Sequence, residues 1–384
     1  MKGLDLPEIT EDFTADPVEL FFDLAYVFAF SQLVGFLVHD PTWAGAGKAA
    51  LLFGLLWLPW QQLTWSANAV SGNGRPIRVI FLAATVVSVP MAASTSTALT
   101  AGGPVFAVAL GAIMIIGFVI QFMSSERGTE SRTAVVRWVT PTLLAVAVLL
   151  VGASVEGTAR IWVWCLSLSI VLAAMIAAGR QEWVIRMGHF AERHGLIVII
   201  ALGEVIVAIG IPVVAALQQG SSLRVATVAA LLASGMFACV LWWSYFDKPS
   251  PGLEHRGTQL QLDRERGRYA RDIYTWLHAP LVAGIILSAT SLEQIALHPD
   301  DPVPDPFRIM LATGLGFVYV SIAAGIWRAY RFVAWERVIT AAAIALAVTA
   351  TAGTNGLIVL GIVVAVMIGM LIIEGLRVDE TAKG

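Results

Sequence analysis

The chain has 384 residues, 58% hydrophobic and 13% charged, with a formal net charge of −3. That is too apolar for an ordinary soluble globule, and the balance of charge carries no footprint for nucleic acid. The two cysteines, Cys165 and Cys239, both lie in apolar stretches, which argues against a disulfide framework and for small buried hydrophobes.

Residues 1–17 are polar and acidic, with Asp5, Glu8, Glu11, Asp12 and Asp16, the reverse of the basic start of a cleavable signal. They read as a cytoplasmic tail. Asp16-Pro17-Val18-Glu19 then spells a helix start, with an Asp cap, Pro at the first helical position and Glu at the third. Twelve spanning helices follow, at 18–38, 48–67, 77–99, 103–123, 135–153, 159–178, 194–213, 224–246, 271–292, 307–328, 336–352 and 356–376. The expected fold is all-α, a polytopic transmembrane helix bundle.

The termini and the loops after even-numbered helices hold 20 of the 24 Lys and Arg residues, leaving Lys48, Arg160, Arg224 and Arg308 on the other side. The positive-inside rule then places both termini in the cytoplasm. Aligning Glu19 with Glu192 lays VELFFDLAYVFAFSQLV over AERHGLIVIIALGEVIV, with Ser31 opposite Glu204. Because six is even, 18–178 and 194–376 are expected to be parallel six-helix repeats. Between them, 179–193 carries Trp183, Met187 and Phe190 at helical spacing and reads as an interfacial helix. Residues 247–270 form a long cytoplasmic loop with a helix of its own, and 377–384 a second cytoplasmic tail.

Glu204 stands at the middle of an apolar helix, about 15–18 Å past the charged run His189, Glu192, Arg193, His194. A carboxylate there costs about 2.5–3.5 kcal/mol on insertion scales, and spanning a membrane does not require it. It reads as a proton- or cation-binding group, or as a protonated Glu holding two helices together. Asp23 lies about 8 Å into the first helix, one turn beyond Glu19. The pair reads as a cation-attracting vestibule or as acids favoured by a helix start. His278 follows Tyr274 by one turn in the ninth helix, ahead of Pro280, which frees backbone carbonyls. With helices 1, 7 and 9 running outward, Asp23, His278 and Glu204 occupy successive depths suited to a proton relay. The cluster His189, Glu192, Arg193 lacks metal-site spacing and reads as a membrane-boundary anchor. Gln32, Gln61, Gln62 and Asn68 read as packing, and Trp57, Trp60, Trp65, Trp242 and Trp243 as an aromatic belt.

Three stretches carry a resemblance. PVELFFDLAYVFAFSQL at 17–33, HFAERHGLIVIIALGE at 189–204 and RDIYTWLHAPLVAGIILSA at 271–289 resemble signatures of the bacterial low temperature requirement A (LtrA) membrane proteins. The resemblance implies a bacterial inner-membrane protein tied to growth in the cold. No cofactor is expected. FFDLAYVFAF is also loosely similar to the motif opening each repeat of a potassium-channel family, and SGNGRPIR departs from the loop pattern of the major facilitator superfamily. The expected function is transport of a small solute or ion through buried carboxylates, with membrane lipid as the surrounding partner. A channel, a non-transporting membrane factor and an intramembrane enzyme are the alternatives, the last without a catalytic motif.

Overall fold

A computed structural model describes residues 15–69, 74–124, 130–178 and 185–383. The first half forms α1 (Pro17–His39), α2 (Trp43–Ala69), α3 (Arg75–Ala93), α4 (Gly103–Ser124), α5 (Glu130–Ala153) and α6 (Gly157–Ala178). The second forms α7 (Met187–Gln218), α8 (Val225–Phe246), α9 (Pro249–Thr258), α10 (Asp263–Ala270), α11 (His278–Leu297), α12 (Asp305–Tyr330), α13 (Trp335–Ala350) and α14 (Gly356–Lys383). A 3₁₀ turn at Thr95–Thr97 follows α3, and a π-helical stretch, Arg271–Leu277, joins α10 to α11.

Leaving out the short α9 and α10, the described residues hold twelve helices of 16 residues or more, one for each expected span. Nine of the helical stretches are long and apolar enough to cross a membrane. The helices outside that set have visible reasons. α2 carries Gln61, Gln62, Ser66 and Asn68, the apolar part of α5 is Val139–Ala153, and α13 has 16 residues.

The predicted start of α1 is present as a reciprocal cap. Asp16 Oδ1 accepts the Val18 N–H at 3.0 Å, and Glu19 Oε1 accepts the Asp16 N–H at 3.3 Å. Elsewhere the helix bounds differ from expectation. Trp183 and the rest of 179–184 lie outside the described residues, but 187–193 are the first turns of α7 itself rather than a separate interfacial helix. No breaker separates Arg193 from His194, and both side chains are buried with partners, so nothing forces a bend. The expected tail after 376 continues α14 to Lys383, and 247–270 holds two helices, α9 and α10.

The chain divides into two compact units, one of 1–36, 43–197 and 257–275, the other of 37–42, 198–256 and 276–384. The division falls at 197/198, inside α7, and returns 257–275 to the first unit. In the first unit α3, α4, α5 and α6 each pack on the next, and α2 packs on α4 and α6. In the second unit α11, α12, α13 and α14 each pack on the next, and α8 packs on α11 and α14.

Two arginines on the expected outer side close helix ends. Arg160 of α6 is buried and donates to the carbonyls of Gly152 (3.2 Å), in the last turn of α5, and Val155 (2.9 Å), just past it, and to Ala98 (3.2 Å) and Thr100. Arg308 of α12 donates to Val348 (2.6 and 3.1 Å) and Thr349 (3.1 Å) at the end of α13. The last carbonyls of a helix have no intrahelical N–H, so a guanidinium there meets orphan acceptors and the negative end of the dipole.

Candidate functional site: a buried charge cluster in the first unit

Glu19 and Asp23 are one turn apart on α1, and His189 and Arg193 are one turn apart on α7, so each pair shares a helix face. The structure sets the faces together. Glu19 Oε2 lies 3.1 Å from His189 Nε2 and 3.3 Å from Arg193 Nη1, while Asp23 Oδ1 accepts from Arg193 Nη2 at 3.0 Å. The four side chains are at most 1% exposed. Trp60 of α2 completes the site, donating Nε1–H to Asp23 Oδ1 at 2.8 Å, with the Arg193 guanidinium 5.8 Å from its ring centre.

Since Glu19 only accepts, His189 donates from Nε2. Every oxygen of Glu19 receives an N–H, the Asp16 amide included. Asp23 Oδ1 receives two, whereas Asp23 Oδ2 is buried with no hydrogen-bond partner. The Tyr26 hydroxyl, three residues on, is likewise buried and unpartnered. Asp16 turns the other way, to Arg78 at 2.9 Å, and Glu192 accepts the Ala15 amide at 2.6 Å.

A second network adjoins on α2. Trp57, Gln61 and Trp65 recur every four residues and all donate to 274–275. Trp57 Nε1 bonds the Thr275 carbonyl at 3.2 Å, Gln61 Nε2 the Tyr274 carbonyl at 3.1 Å, and Trp65 Nε1 the Thr275 hydroxyl at 3.1 Å. Pro280 explains the need. In a π register the Thr275 carbonyl would pair with the amide five residues on, and Pro280 has none. Gln61 Nε2 also donates to His194 Nε2 at 2.9 Å, and His194 Nδ1 donates to the Phe190 carbonyl at 2.8 Å. His194 is therefore neutral, its ring tilted against Tyr274 with ring centres 4.9 Å apart.

The predicted site residues thus divide. Glu19, Asp23, His189 and Arg193 form one buried cluster in the first unit. His189 and Arg193, expected as part of a membrane-boundary anchor, are both fully buried in this cluster. Tyr274 belongs to the same unit. Glu204 and His278 belong to the second; Glu204 is buried, and His278 Nε2 lies 2.7 Å from the Tyr245 hydroxyl. Trp57 and Trp60 are buried donors rather than belt residues, whereas Trp242 and Trp243 are exposed as a belt requires.

Sequence reading missed the roles of Trp60, Gln61 and His194; the four-residue spacing of Trp57, Gln61 and Trp65 was the available signal. It also missed the pair of Arg337 with Glu374, at 2.8 Å, where the guanidinium also donates to the Ser244 carbonyl at 3.0 Å. That pair lines a cavity of about 250 Å³ with Asp247 and Lys248.

Compared with known proteins, residues 14–372 match the family model described as bacterial low temperature requirement A protein (LtrA). An uncharacterized protein of Rhizobium meliloti (strain 1021), RA0937, is 28% identical over 310 residues, covering 76% of this chain and 72% of that protein. No solved structure matches. With the matched region running from before α1 into α14, the chain belongs to the LtrA family of membrane proteins.

Proposed function

We propose that the protein is a transporter of the bacterial cytoplasmic membrane that moves a small solute or ion, and that the cluster of Glu19, Asp23, His189 and Arg193 is part of its working site. The observation that carries this reading is a pair of acids sharing one guanidinium in a dry place. Two carboxylates face one guanidinium, with an imidazole as the remaining partner, all buried on helices that read as membrane-spanning. Buried charge is expensive unless paired, and ionisable groups inside a membrane mark solute or ion pathways by default. A cluster kept only for packing gains nothing from an unmatched carboxylate oxygen.

The wider architecture in this reading is twelve crossing helices in two parallel six-helix repeats, with both termini cytoplasmic. Packing order supports it. The succession α3–α4–α5–α6, closed by α2 on α6, recurs as α11–α12–α13–α14, closed by α8 on α14. The capped ends correspond too, since α5 and α13 hold the same place in the two series. Duplicated six-helix halves are a common plan among secondary transporters. The cold requirement in the family's description would then reflect a flux that limits growth at low temperature.

Flux into proteoliposomes under imposed ion gradients tests the function. Wild-type protein is expected to conduct, Asp23→Asn to lose at least tenfold in rate, and Glu204→Gln to lose rate if the second unit's carboxylate shares the path. Saturable exchange identifies a carrier, and a rate limited only by the gradient a channel. Wild-type vesicles as tight as protein-free ones to every ion tested would sink the ion-transport reading.

A further inference from the structure

Resting on that reading, we infer that the ion handled by the cluster is the proton, and that it binds at Oδ2 of Asp23. The argument begins with donors. Around the two carboxylates the structure supplies N–H groups: two Nη of Arg193, Nε2 of His189, Nε1 of Trp60 and the Asp16 amide. Each is positive or carries its hydrogen outward, and such groups repel a metal cation. A divalent ion such as calcium takes about six to eight oxygen ligands, and potassium filters surround their ion with carbonyl oxygens. Here Asp23 Oδ2 is the carboxylate oxygen not already receiving an N–H. One open oxygen suffices for a proton and for nothing larger.

Charge gives the same answer. Glu19 and Asp23 are two acids sharing the one guanidinium of Arg193 in a buried place, and a proton on one of them relieves the repulsion between them. Placed on Oδ2, it leaves Oδ1 as a carbonyl that still accepts from Trp60 and Arg193, so no existing hydrogen bond breaks. It also converts an orphan acceptor into a donor, about one turn along the same helix from the unpartnered Tyr26 hydroxyl. The titratable and charged groups around Asp23 are Glu19 and Tyr26 on its own helix and Arg193 and His189 on α7; α2 presents Trp60, which does not titrate.

The test is infrared difference spectroscopy of the full-length protein in membranes between high and low pH. A protonated buried carboxyl gives a carbonyl stretch set apart from ionised carboxylates. The expected result is one such band, present in wild type and Glu204→Gln and lost in Asp23→Asn. Trp60→Phe, which removes a donor to Oδ1, is expected to keep the band and raise its frequency, so the assignment stays testable if Asp23→Asn does not fold. A band that survives Asp23→Asn, or one that Glu204→Gln removes, overturns the proton site whatever the flux measurements give. An Asp23 band without proton flux in vesicles leaves the proton site standing and overturns transport instead.

Discussion

At the scale of the residue, burial decides which ion pairs matter. Arg193 is fully buried between two acids, and removing it strands both. Arg193→Met is expected to destabilise the protein by about 3–5 kcal/mol, read as thermal unfolding in detergent, with Arg193→Met/Asp23→Asn recovering part of the loss. Arg78, paired with Asp16 at nearly the same distance, is 48% exposed, so Arg78→Ala is expected to cost about 1 kcal/mol or less in the same assay. The four-residue spacings of Glu19 with Asp23 and of His189 with Arg193 are legible in the sequence. Their pairing across 170 positions is not, because spacing tells which residues share a face and not which face it meets.

Single helices show where local signals suffice and where they stop. The cap of α1 is readable from four residues because all its partners are local. The π-helical stretch is half readable. Pro280 announces a freed carbonyl, but the donor that takes it, Trp57, lies 218 positions before Thr275. Gln61→Leu removes the donor to the Tyr274 carbonyl and is expected to cost about 1–3 kcal/mol, with faster amide hydrogen exchange confined to 271–277. Close approach of α11 and α12 depends on missing side chains. A Cβ at Gly314 would stand 2.5 Å from the Gly284 carbonyl oxygen, and one at Gly284 would strike the Gly314 carbonyl. Gly314→Ala is therefore expected to destabilise the second unit by about 1–3 kcal/mol, because backbone cannot move aside as a side chain can. Unfolding in graded denaturant measures it.

For the molecule as a whole, the arrangement of charge makes a topology that labelling can check. In a Cys165→Ser/Cys239→Ser background, Ser221→Cys between α7 and α8 is expected to react with an impermeant thiol reagent from outside the cell. Glu265→Cys in α10 is expected to react only once the membrane is opened; both positions are exposed. The reverse pattern would invert the proposed orientation. Labelling of both from outside would remove a crossing helix from the count. Two of the four cations on the expected outer side, Arg160 and Arg308, cap helix ends, so their place there follows from backbone chemistry and need not weaken the charge asymmetry.

Composition and hydropathy alone determined that this chain is a bundle of long apolar helices, and placed about half of them to within a few residues at both ends, the others missing an end by five to seven. A run of some twenty apolar side chains has few other stable forms, and each run is bounded by local signals. Family membership was legible in the same way, in three contiguous stretches. The site was decided only in three dimensions. A helix that is apolar around its whole circumference, as α1 nearly is, carries no stripe to say which side faces inward. Whether Asp23 met lipid, water or Arg193 therefore depended on the rotation of α1 and on its neighbours, which the order of residues along one helix does not record.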